Sequence, residues 1–105
     1  MEPLNSELFK AIEKGNETTV KLLLNAGGDK DKVNGFGYTP LYIAAFYGHY
    51  QIVKLLLDSG ADPNKINKYG RTPLYTVARE CHIEIMKLLL DSGANKIAVG
   101  CYIST

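Results

Sequence analysis

The chain has no excess of charge of either sign: 12 Lys and Arg stand against 11 Asp and Glu over 105 residues, a formal net charge of +1. A near-neutral chain exerts no strong sequence-independent pull on phosphates, which argues against a nucleic-acid partner. Long apolar runs are missing too. None approaches the roughly 20 residues a membrane-crossing helix needs, so no membrane insertion is expected. Cysteine is scarce. Cys81 and Cys101 stand in no metal-ligand spacing and read as two reduced thiols of an intracellular protein. The opening Met1-Glu2-Pro3-Leu4-Asn5 carries neither a basic n-region nor an apolar h-region, so no secretory signal is read there. Without one, the sequon Asn16-Glu17-Thr18 is taken as a chance match. An intracellular location follows as the expectation, cytoplasmic first and with the nucleus left open.

Equipment for catalysis is also thin. The two histidines, His49 and His82, have no Ser, Cys or carboxylate arranged beside them as nucleophile and base. Cys81 precedes His82, but sequence neighbours rarely align for such a pairing. The glycines are spaced as turns and form no phosphate-cradling loop. We therefore expect no enzyme, no cofactor and no metal within this stretch. The histidines are read instead as helix-start residues bonding local backbone.

What the sequence does have is a repeat. Leu22-Leu23-Leu24 recurs as Leu55-Leu56-Leu57 and as Leu88-Leu89-Leu90, at a step of 33 residues. Gly27, Gly60 and Gly93 keep the same step, as do Leu8, Leu41 and Leu74, and Asp29, Asp62 and Asn95. Thr39-Pro40-Leu41-Tyr42 returns as Thr72-Pro73-Leu74-Tyr75. No insertion or deletion is needed from Ser6 onward.

Each period reads as two short helices and a turn. Thr39 and Thr72 suit a helix N-cap, because the hydroxyl accepts a bond from a free backbone N–H. Pro40 and Pro73 then fall at the first helical position, where a missing N–H costs nothing. The helix that Pro40 opens is predicted to run to Tyr47 and stop at Gly48. A second helix covers Tyr50 to Asp58 and is closed by Gly60. Its Ile52, Val53, Leu55, Leu56 and Leu57 make a stripe too wide for one exposed face. Neighbouring repeats must cover it. The Asp-, Asn- and Gly-rich stretch that follows suits a turn or projecting hairpin. Each fully buried Leu or Ile is worth about 1.5–3 kcal/mol. That gain requires stacking, so stability is shared between units.

These residues resemble the ankyrin repeat family. Its opening appears as Thr39-Pro40-Leu41, followed by Ala44-Ala45, Gly48-His49, Ile52-Val53-Lys54-Leu55-Leu56-Leu57, Gly60-Ala61-Asp62 and Asn64. The third period supplies Thr72-Pro73-Leu74, Ala78, His82, Ile85-Met86-Lys87-Leu88-Leu89-Leu90 and Gly93-Ala94-Asn95. The resemblance implies an all-α ankyrin-repeat solenoid of helix-turn-helix units joined by β-turn or hairpin loops. The expected division is one domain over 1–105. Repeat one covers about 5–33, repeat two 34–66 and repeat three 67–99. The start of a further repeat falls at 100–105, where Cys101 to Thr105 aligns with Lys68 to Thr72.

Several positions depart from the family pattern. Tyr42 and Tyr75 replace its His, and a phenol cannot reproduce the two-ended bonding of an imidazole, which leaves the link between adjacent hairpins open. Cys81 replaces the Gly between two helices, and a side chain in a left-handed terminus costs roughly 1 kcal/mol. Val77 replaces the first Ala of the pair and adds bulk at a tight helix contact. Repeat one lacks the Thr-Pro-Leu opening and begins Ser6-Glu7-Leu8-Phe9-Lys10, with Glu13 and Lys14 later in the helix. Such polarity suits a capping repeat whose outer face meets water. Repeat three is as apolar as an internal one, so its edge is expected to meet a continued chain or a partner, with a short protein of frayed C-terminus as the alternative and self-association through that edge left open. Asn64 stands at the hairpin position hydroxylated in some ankyrin proteins, with Leu56 eight residues before it. The structural alternative, a turn-stabilising Asn, is preferred.

The resemblance further implies a non-catalytic module for protein–protein interaction, with contacts at the hairpin tips and on the exposed side of each first helix. Carried onto this chain, the partner-binding positions are Phe36, Tyr38, Phe46 and Tyr47 in repeat two. In repeat three they are Lys68, Tyr69, Arg71, Arg79 and Glu80. Gly35 adjoins the first set, Tyr102 would stand at the next tip, and Glu13 and Lys14 are the repeat-one counterparts. Tyr38, beside the capping Thr39, is the aromatic most expected to serve packing. Two other readings stay open: a regulatory or targeting domain of a larger protein, an enzyme included, and a unit of a self-assembling array.

Overall fold

A computed structural model of the chain describes residues 2–95. Among these residues are six helices: α1 (Glu2–Lys14), α2 (Glu17–Asn25), α3 (Pro40–Tyr47), α4 (Tyr50–Asp58), α5 (Pro73–Arg79) and α6 (Ile83–Asp91). No strand occurs among the described residues. The lead-in read at 100–105, with Cys101 and Tyr102, lies outside them.

Consecutive helices pair as α1–α2, α3–α4 and α5–α6. The first helices of the pairs form one layer, in which α3 lies between α1 and α5. The second helices form another and approach one another less closely. The result is elongated, with extents of 41 × 24 × 21 Å.

The capping expected from the repeat is present. Thr39 Oγ1 accepts from the Tyr42 N–H at 3.1 Å and Thr72 Oγ1 from the Tyr75 N–H at 3.2 Å. Pro40 and Pro73 occupy the first helical turn. α3 ends at Gly48, whose φ of 77° is left-handed. α1 starts earlier than the polar run at Ser6 suggested. Pro3 sits in its first turn, where proline costs the helix no bond.

Leu8, Ile12, Leu41, Ile52, Leu56, Leu74, Val77 and Leu89 are at most 1% exposed and form one core running through all three pairs. Val77 is accommodated within it. The leucine triplets divide by face: Leu56 and Leu89 are fully enclosed, whereas Leu22 of α2 is 63% exposed.

The histidines do not bond local backbone, and in this the structure corrects the sequence reading. The His49 ring meets the carbonyl oxygen of Glu13 at 3.3 Å through Nε2, and the His82 ring meets that of Phe46 at 3.2 Å. Neither side chain caps its own helix. Each ring lies over the glycine that ends the preceding pair's first helix. A Cβ added at Gly15 would stand 2.8 Å from His49 Cε1, and one at Gly48 the same distance from His82 Cε1. Each histidine thus ties its own pair to the pair before it.

Cys81 stands where the first two pairs have Gly15 and Gly48. Its φ of 62° is the one left-handed value at a non-glycine among the described residues. Cys81→Gly is therefore expected to raise stability by about 1 kcal/mol. Urea denaturation would show this as a higher midpoint with an unchanged slope.

At Tyr42, where the sequence left the link between hairpins open, the structure shows a contact to the following pair. The Tyr42 side chain is buried, its ring stacks on Tyr38 at 4.9 Å and 4°, and its hydroxyl is hydrogen-bonded with Thr76 of the following pair. Burial raises its pKa above the ordinary 10.0, opposed by the Thr76 bond. The unfolded chain therefore loses this proton first as pH rises. The folded state has the full benefit of the neutral phenol below pH 10 and loses part of it above. Urea titrations across that range should show an alkaline decline that Tyr42→Phe reduces.

Candidate functional site

The hairpin tips are built by two asparagines one repeat apart. Asn34 Oδ1 accepts the N–H groups of Phe36 and Tyr38 at 2.9 and 3.0 Å, and the Asn34 N–H donates to the Tyr38 carbonyl. Asn67 repeats the pattern with Tyr69 and Arg71 at 2.8 and 3.1 Å. Each asparagine closes its loop from inside, which leaves the intervening side chains to project. Sequence reasoning missed both residues. The signal was there: Asn34 with Gly37 and Asn67 with Gly70 form the same Asn-x-x-Gly unit at the repeat step.

Between these tips and the first helices lies a cleft of about 340 Å³. Phe36 and Tyr38 enter it from the first tip, Phe46 and Tyr47 from the end of α3. Arg71 enters from the second tip, and Arg79 and Glu80 from the end of α5. Seven of the nine positions expected from sequence thus share one cavity. Lys68 and Tyr69 are not in its lining. They stand at the rim, where Lys68 Nζ lies 5.7 Å from the Phe36 ring centre and 5.5 Å from that of Tyr69. Glu13 closes the side toward α1. Tyr42, Tyr75, Ile43 and Thr76 complete the walls. None of these four was among the expected partner positions; Tyr42 and Tyr75 stood out in the sequence only as replacements of the family's His.

The aromatic residues divide into two groups. Phe36, Phe46, Tyr47 and Tyr69 are 63, 43, 48 and 58% exposed. Tyr38 is half-buried against Tyr42 and serves packing as well as lining. Phe46 and Tyr47 meet edge to face at 5.2 Å, which fixes both rings without hiding them. Arg71 lies 5.0 Å from the Tyr75 ring centre and 5.8 Å from that of Tyr69. The two rings attract the guanidinium without using up its N–H donors.

Asn64 lies away from this cleft. Its Nδ2 donates to the Gly93 carbonyl at 3.1 Å and its Oδ1 accepts from the Asn95 N–H at 2.8 Å. The amide thereby joins the loop after α4 to the loop after α6. Among the described residues, no helix is long and apolar enough to cross a membrane.

Paired helices, left-handed terminators, asparagine-built tips and histidines that clasp the preceding pair define a helical repeat array whose units are stable only in series. The chain belongs to the ankyrin repeat family: the family profile described as ankyrin repeats (3 copies) matches residues 8–99. It is also similar to ankyrin repeat domain-containing protein 29 of Danio rerio, with 42% identity over 50 residues. That match takes in 47% of this chain and 17% of the relative, so the chain spans less than a fifth of the relative's length. Ankyrin repeats are generally protein-interaction modules and typically non-catalytic.

Proposed function

We propose that this chain is a non-catalytic, intracellular module that binds a protein partner across its concave cleft and hairpin tips. One observation carries the reading. Phe36, Phe46, Tyr47 and Tyr69 are all more than 40% exposed and gather in or beside a single cleft. Exposed aromatics in one place are costly to solubility and call for a reason. Aromatic and Arg side chains are also those that dominate binding hot spots. Repeat one offers only charges at the matching positions and serves as the flank of the site.

The test uses the chain as bait in a cell lysate beside the variant Phe36→Ala/Tyr47→Ala/Tyr69→Ala, with matched circular dichroism as the control for folding. A protein retained by the parent and lost from the variant supports the site. Equal retention by both overturns it.

A further inference from the structure

The charges around the cleft are unevenly placed. The tip segments 34–38 and 67–71 contain Lys68 and Arg71 and no acidic residue. Glu13 and Glu80 lie toward the other end, in the last turn of α1 and at the C-cap of α5, with Arg79 beside Glu80. Elsewhere Lys10, Lys30, Lys54 and Lys87 each stand within 3.8 Å of a carboxylate. Lys68, Arg71 and Arg79 have no carboxylate partner among the described residues. The two tip cations rest on aromatic faces instead: Lys68 over Phe36 and Tyr69, Arg71 over Tyr69 and Tyr75.

A cation attracted to a ring face keeps N–H donors for a further partner. A carboxylate that met Lys68 and Arg71 would form charge-assisted bonds, bidentate at the guanidinium. The apolar surface begins at Phe36, whose ring centre lies 5.7 Å from Lys68 Nζ, and continues in the cleft through Phe46 and Tyr47 at the end of α3. A neutral segment would leave the two cations unpaired, and a basic one would be repelled at the tips.

We propose that the cleft takes an extended acidic peptide segment of a partner protein. An Asp or Glu carboxylate meets the tip cations Lys68 and Arg71, and aromatic or aliphatic side chains further along the segment meet Phe36, Phe46 and Tyr47. This inference rests on the cleft being the binding site and adds the chemistry of what it binds.

The experiment pans a displayed library of random-sequence peptides on the chain, on Lys68→Glu/Arg71→Glu, and on Phe36→Ala/Tyr47→Ala, each checked for folding by circular dichroism. The expected result is enrichment of sequences that combine Asp or Glu with aromatic or aliphatic residues further along. Their binding should weaken at least tenfold on either variant and fall as salt rises. The charge-reversed variant should select basic sequences in their place. Enriched sequences that lack acidic residues yet fail on Phe36→Ala/Tyr47→Ala would overturn the acidic class and leave the cleft standing. Sequences bound equally by all three proteins, or no enrichment at all, would overturn both.

Discussion

Gly48→Ala is expected to destabilise the chain by about 2 kcal/mol, a large effect for one methyl group. Two causes add. Gly48 has φ 77°, where a side chain costs roughly 1 kcal/mol. The new Cβ would also stand 2.8 Å from the His82 ring, which must move and give up its contact with the Phe46 carbonyl, worth roughly another 1 kcal/mol. The second cause predicts its own signature. His82→Ala alone should cost about 1 kcal/mol. In the double variant the two losses should fall short of their sum, because the ring they share is already gone. Urea unfolding of the four proteins measures both quantities. Strict additivity would show that the ring's seat on the glycine does not couple the second pair to the third.

The second large effect concerns binding and leaves folding untouched. Phe36→Ala/Tyr47→Ala/Tyr69→Ala is expected to weaken partner affinity by about a hundredfold or more, since truncated hot-spot aromatics cost about 2 kcal/mol each and do not add fully. The same three residues are each at least 48% exposed, so their removal should leave the urea midpoint near that of the parent. A comparable loss of stability would mean that these rings pack rather than recognise. Isothermal titration and urea denaturation on the same preparations separate the two outcomes.

Much of this architecture was legible in the repeat. Thr39 and Thr72 cap their helices, Pro40 and Pro73 follow them, and Gly48 terminates α3, all as local chemistry dictates. The strained Cys81 was visible for the same reason: a column that demands a left-handed residue holds a side chain. What escaped the sequence was contact between repeats. His49 and His82 look like local helix-start residues, and only the stacking of pairs brings their rings onto a carbonyl 36 residues back in the chain. At Tyr42 the sequence left the family's link open. Burial against Tyr38 and the bond with Thr76 make it a different one. The candidate site followed the same division. Family positions picked out the residues that project, whereas Asn34 and Asn67, which make them project, were hidden in a loop reading that asked only for turn formers.

Site-directed photocrosslinking tests the central claim most directly. A benzophenone amino acid replaces Phe46 in the cleft in one protein and Leu22, exposed on α2 and absent from the cleft lining, in another. Irradiation in lysate should give a discrete protein adduct from position 46 and none from position 22. An adduct from position 22 with none from 46 would contradict the account and move the binding surface to the second-helix side of the array.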